Sequence, residues 1–269
     1  MWTEIPLLRD AGAAVLTGGA AMAVLRFWEQ VGNRALLDQK LCRMLVHISV
    51  GLVYFLVWPL FSEDDVYAPF LASLAIALNI VRVTLIGLGV VKDDGVVNSM
   101  TRHGDYRELL RGPLYYACAI TLTTVIFWRK SPISIAVICI LCAGDGAADI
   151  TGRRLGNMKL PFNPYKSYAG TIVMFFAGFI ASVLYMCYFN LLGFIDVSWT
   201  MAAAFGATSF AAAIVESLPV STRLDDNLTV PFTSVLVGGL VFYYVGGGAA
   251  GNGDTSIYAV AQMVSAGSR

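Results

Sequence analysis

Four stretches of this chain carry side chains that could do chemistry, and the densest is GDGAADITGRRLGNMKLPFNPYKSYAG, residues 144–170. Asp145 and Asp149 stand four apart, a spacing that puts both carboxylates on one helix face. Two carboxylates held close repel each other unless a cation lies between them. Mg2+ prefers hard oxygen ligands and commonly takes one or two carboxylates together with substrate phosphates. Gly144, Gly146, Gly152 and Gly156 remove side chains where a backbone could approach a phosphate. Arg153, Arg154, Lys159 and Lys166 supply the positive charge that phosphates need. The chemistry implied is a metal-bound polyphosphate site. The plainer alternative is a salt-bridged loop capping a membrane helix.

The second stretch, VESLPVSTRLDDNLTVP (215–231), sets Asp225, Asp226 and Asn227 directly before an apolar run. Asp226 or Asn227 could simply cap a helix. Alternatively, Asp225 or Asp226 completes the metal site or accepts a proton from a hydroxyl substrate. In the third, QKLCRMLVHISVGLV, Lys40 and Arg43 border His47 at the start of an apolar run. Ionisable residues within membrane spans are functional candidates, and the same holds for Arg82, with Asn79 one turn earlier. Arg82 could pair with any of several carboxylates. The fourth, MTRHGDYRELLRGPLYY, is charged and amphipathic and reads equally as an interfacial helix.

The elements that must position these residues are membrane helices. Hydrophobic residues make up 57% of the 269 residues and charged residues 13%, half the share of a soluble domain. Mean hydropathy is +0.70. A transmembrane helix needs about 20 mostly apolar residues, which gives candidate spans at roughly 7–28, 44–61, 66–91, 112–128, 132–143, 168–192, 200–215 and 230–247. The expected fold is an all-α, polytopic bundle of about eight helices, a single domain over 1–269 with a flexible Gly-rich tail from 248. The fifth span is too short to cross alone and is expected to continue into the charged segment. Alternating the sides places 29–43, 92–111, 144–167 and 216–229 on one face. That face collects most of the Lys and Arg, which makes it cytosolic or stromal, and also most of the carboxylates.

Other classes are disfavoured. The formal net charge is zero, so no basic field invites nucleic acid. There is neither a G-x-x-x-x-G-K-[ST] motif nor a completed G-x-G-x-x-G. Cys139 and Cys142 form a C-x-x-C inside an apolar run without further ligands nearby and read as packing residues. No secretory signal or Ser/Arg-rich transit peptide is visible at the start of the chain.

Together the stretches LVHISVGL, WPLFS, ELLRGPLYY, SPISIAV, GDGAADITGRRLGNMKLPFNPYKSYAGTI and VESLPVSTRLDDNLTVP resemble the plant phytol kinase and farnesol kinase group of the CTP-dependent polyprenol kinase family. Departures are small: Met44 stands where a basic residue is frequent, leaving Arg43 as the nearest cation, and Thr171 where serine is frequent. The resemblance implies transfer of the γ-phosphoryl group of CTP to a membrane-dissolved isoprenoid alcohol. Phytol is the first choice and farnesol or geranylgeraniol the alternatives, in a chloroplast membrane, feeding phytol salvage and tocopherol biosynthesis. On this reading Asp145, Asp149 and Asp226 hold Mg2+. Asp145, Asp149, Asp225, Asp226 and His47 are the catalytic candidates. Gly144, Gly146, Gly152, Arg153, Arg154, Lys159, Asn163, Lys166, Ser167, Lys40 and Arg43 are the nucleotide candidates. A non-enzymatic lipid transporter or scaffold is the competing class.

Overall fold

The computed structural model describes residues 6–34, 36–63, 65–101 and 103–247. The expected Gly-rich tail from 248 lies outside the described residues. Within them, eight helices are long and apolar enough to cross a membrane. They are α1 (Pro6–Asn33), α2 (Gln39–Leu56), α3 (Ala68–Gly87), α5 (Gly112–Ile126) with the helical turn before it in one span Tyr106–Ile126, the composite Pro132–Arg154, α8 (Tyr168–Leu191), α9 (Trp199–Ser217) and α11 (Asp226–Gly247). Two short helices, α4 (Asp94–Met100) and α10 (Pro219–Leu224), lie between spans on the charged face.

Local chemistry explains the starts. Asp38, Asp93, Ser167 and Ser198 each accept a hydrogen bond from a backbone N–H in the first turn of α2, α4, α8 and α9, as N-cap side chains do. Proline opens α3, α5 and α6 (Pro132–Cys139), where a missing N–H costs nothing. The amphipathic stretch before α5 forms a short 3₁₀ turn, Tyr106–Leu110, capped by Asp105, rather than a separate interfacial helix.

The fifth span continues as expected. After α6 the chain passes through a π-helical stretch, Ile140–Asp145, into α7 (Gly146–Arg154). Every residue of α6 is buried, which follows from its being apolar on all sides. This rod is therefore the centre of the bundle, with α2, α8, α9 and α11 packed around it. Its polar end emerges on the charged face. Cys139 and Cys142 lie unbridged within its buried part, in keeping with packing roles.

Among the described residues the helical fold carries one exception. Lys159–Leu160 (β1) and Asn163–Ser167 (β2) form a small antiparallel hairpin, with Lys159 opposite Ser167 and Leu160 opposite Asn163. Buried Asn163 donates from its side-chain amide to the carbonyl of Ser217 at the end of α9, 3.0 Å away. That bond ties the hairpin to a helix more than fifty residues further on.

Candidate active site

Three carboxylates on three helical segments, from two distant regions of the chain, converge on the charged face. Asp145 ends the π-helical stretch, Glu216 sits in the last turn of α9 and Asp226 opens α11. One carboxylate oxygen of each lies within 4.8 Å of the others. Lys166 on β2 enters the same cluster, with its ammonium paired to Glu216 and, at 2.9 Å, to Asp226. Burial opposes the lysine's charge, but Asp226, Glu216 and Asp145 outweigh it and raise its pKa above the ordinary value. Three carboxylates against one ammonium leave two negative charges uncompensated if all ionise.

The donor set fits a small divalent cation. All three groups are hard oxygen ligands, and Asp226 Oδ1 is buried without a hydrogen-bond partner. Buried acceptors are normally satisfied, so this oxygen has coordination to give. Asp145, Glu216 and Asp226 are the residues that would hold Mg2+.

Of the three expected metal ligands, Asp145 and Asp226 belong to this cluster and Asp149 stands apart from it. Asp149 lies outside the three-carboxylate group, and its Oδ1 accepts from Arg153 Nε and Nη2 at 3.1 and 2.8 Å. One turn of α7 satisfies that pair internally. The other oxygen, Oδ2, is buried and unpartnered. Asp149 still lines the same cavity.

That cavity has a volume of about 1620 Å³, well above the roughly 300–1,000 Å³ of a pocket for one small ligand. Its mouth carries Arg43, Arg153, Lys159, Lys166, Arg223 and the carboxylates. Its deeper limb is lined by apolar residues of α1, α2, α3 and α5, including Leu25, Val50, Ile76, Ala117 and Ile120. Helix α1 packs along both α2 and α3, and α3 along α5, so the limb runs between these helices toward the membrane interior. Met22 and Leu78 line it while remaining 42% and 63% exposed. They form the rim of an opening on the lipid side of α1 and α3.

His47 stands where mouth and limb meet. Its Nε2 is 3.0 Å from the carbonyl of Leu141 and 3.7 Å from Asp145 Oδ2. The ring packs on Tyr116, whose hydroxyl donates to the His47 carbonyl at 2.7 Å. His47 is thus anchored to the central rod through Leu141 and lies beside Asp145 without a hydrogen bond to it.

Several further expectations change. Asp225 does not join the carboxylate cluster: it has φ of 74° and accepts from the backbone and side-chain amides of Asn227 at 3.0 and 2.8 Å, stapling the start of α11. Gly144 and Gly146 serve helix packing rather than phosphate approach. A Cβ at Gly144 would meet the Met174 carbonyl at 3.2 Å, and one at Gly146 would run into Ile48 of α2. Gly152 faces Ser167 and Gly170 of α8 while lining the cavity. Ser167 is occupied as the α8 cap and Asn163 as the hairpin tie. Lys40 and Arg154 are exposed and do not line the cavity. Arg82 pairs with Asp93 at 2.5 Å.

Sequence reasoning missed Glu216. The predicted span ended at 215, one residue short of it, so the rule that intramembrane carboxylates are functional candidates was never applied there. Tyr116 carried no signal beyond its place in an apolar helix.

Fold and cavity together define a polytopic membrane protein with a carboxylate- and cation-lined mouth open to water above an apolar limb open to lipid. The chain is similar to several named plant proteins. A probable phytol kinase 2, chloroplastic, from Oryza sativa subsp. japonica is 60% identical over 236 residues, 88% of this chain and 77% of the relative. Farnesol kinase, chloroplastic, from Arabidopsis thaliana is 54% identical over 242 residues, 90% of this chain and 78% of the relative. Phytol kinase 1, chloroplastic, from Arabidopsis thaliana is 40% identical over 239 residues, 88% and 78% of the two chains. No family model matches the chain, and no solved structure matches it. The chain belongs to the phytol kinase and farnesol kinase family. It is an integral membrane protein of the chloroplast.

Proposed function

We propose that this chain phosphorylates an isoprenoid alcohol, with CTP as donor and Mg2+ as cofactor, yielding a prenyl monophosphate and CDP. Phytol is the acceptor of first choice, in phytol salvage and tocopherol biosynthesis, with farnesol and geranylgeraniol as alternatives. The observation that carries the reading is the two-natured cavity. A triphosphate requires cations and a metal at a water-facing mouth, whereas a prenyl chain requires an apolar limb reached from lipid. Each buried CH2 of such a chain contributes about 0.8 kcal/mol, so the hydroxyl is best met at the membrane surface with the chain still buried.

Phosphoryl transfer is mainly positioning and charge neutralisation. Arg153, Lys159 and Arg223 line the mouth and orient the triphosphate. Mg2+ held by Asp145, Glu216 and Asp226 would neutralise phosphate charge. The alcohol oxygen forms a bond to the γ-phosphorus as the bond to the β–γ bridging oxygen breaks, and CDP leaves. The hydroxyl proton passes to Asp149 Oδ2, the buried carboxylate oxygen on the cavity wall that lacks a partner. His47, anchored to the Leu141 carbonyl, fills the wall beside Asp145 from α2.

Purified protein in detergent, given Mg2+, γ-labelled CTP and phytol, should yield labelled phytyl phosphate. Phytol bound or moved between vesicles without label transfer would favour a transporter or scaffold. Label transferred from ATP but not from CTP would overturn the donor assignment.

A further inference from the structure

The apolar limb has a floor. We propose that Tyr54, with Gly18 and Ala75, closes the limb and sets the length of isoprenoid chain that this protein accepts. The inference rests on the limb being the alcohol's site.

Along α2 the lining residues run Arg43, His47, Val50 and Tyr54. At 1.5 Å per residue, Tyr54 lies about 10 Å beyond His47 toward the opposite membrane face. Tyr54 is 2% exposed. Its hydroxyl meets Thr124 Oγ1 of α5 at 2.9 Å, and its ring stands edge-on to Trp58 at 6.0 Å. Tied at both ends, the ring cannot swing aside for a longer chain. From the other wall, Gly18 of α1 and Ala75 of α3 line the limb with minimal side chains. A Cβ placed at Gly18 would lie 3.7 Å from that of Ala75, an ordinary contact. No backbone atom of a neighbouring helix lies within 4 Å of that Cβ, so bulk added at Gly18 is expected to extend into the limb. Carbons that exceed the limb must leave through the opening beside Met22 and Leu78 and forfeit burial in the protein.

The test is a competition among geraniol, farnesol and geranylgeraniol in one reaction, with product ratios read within a single preparation of the full chain. Such ratios do not depend on how much enzyme is folded. Tyr54→Ala should raise the ratio of geranylgeranyl to farnesyl phosphate about tenfold or more, the discrimination an apolar pocket gains per methylene admitted or excluded. Gly18→Leu and Ala75→Leu should lower it by a similar factor, and they decide the matter if Tyr54→Ala does not fold. Unchanged ratios, or a rise in the leucine variants, would overturn the floor while leaving the kinase reading intact. Wild-type protein that phosphorylates none of these alcohols and not phytol either would overturn both.

Discussion

Lys166 and Asp226 are sixty residues apart in sequence and 2.9 Å apart in space. Their ion pair joins the hairpin after the central rod to the start of the last helix, with Glu216 on the same ammonium. The cluster holds itself together with its own lysine, which faces the carboxylates rather than standing open for a phosphate.

Removing Lys166 should therefore expose the repulsion it masks. Breaking one side of a buried ion pair costs about 3–5 kcal/mol. Lys166→Met should melt well below wild type in detergent, and millimolar Mg2+ should recover part of the loss. A variant with unchanged melting, or one indifferent to Mg2+, would show that the carboxylates do not depend on a cation.

Asn163 is expected to act through the hairpin. Leaving the Ser217 carbonyl and its neighbours unpaired costs about 1–3 kcal/mol, and Asn163→Ala should loosen the strand that carries Lys166. KM for CTP should rise more than KM for the alcohol. Equal changes in both would assign Asn163 to general stability alone.

Neutralising Arg153 or Lys159 should likewise raise the CTP requirement more than the alcohol requirement. Arg153→Gln also frees Asp149 Oδ1, so it should lower kcat as well. An unaltered CTP dependence in both variants would place the triphosphate elsewhere.

The Arg82–Asp93 pair has a definite pH signature. The hydrogen bond from Arg82, followed by that from the Val96 amide, holds the Asp93 carboxyl below its ordinary value of 3.8. A depressed carboxylate pKa adds stability above the unfolded value, and this is lost as pH falls through the folded value. Both side chains are partly exposed, so the contribution is about 0.2–1 kcal/mol. Asp93→Asn should remove that component of acid sensitivity below about pH 4, measured by melting against pH. An identical acid profile would contradict it.

How much of this was legible beforehand follows from the physics of each residue. The spans were readable because twenty apolar residues in a row have few other fates in a membrane protein. The convergence of 144–167 with 216–229 followed from counting sides. Of the metal candidates, Asp145 and Asp226 stand in the carboxylate cluster, whereas Asp149 does not and Glu216 was not named, because helical spacing sees only neighbours along one chain segment. Asp149 is near Asp145 in sequence, yet Arg153 at i+4 occupies it, whereas Glu216 and Asp226 reach Asp145 only through tertiary packing. The glycines showed the same limit: Gly144 and Gly146 mark where α8 and α2 press on the central rod, which no local pattern reveals.

The central claim is that Asp145, Glu216 and Asp226 form one cation site. Binding of Mn2+ in place of Mg2+, followed by electron paramagnetic resonance on purified protein with CTP, tests it most directly. A bound ion is expected in wild type, lost in Asp145→Asn, Glu216→Gln and Asp226→Asn and retained in Asp225→Asn. Full binding in the Glu216 and Asp226 variants, with loss in Asp149→Asn, would contradict it and return the ion to the helical pair Asp145 and Asp149.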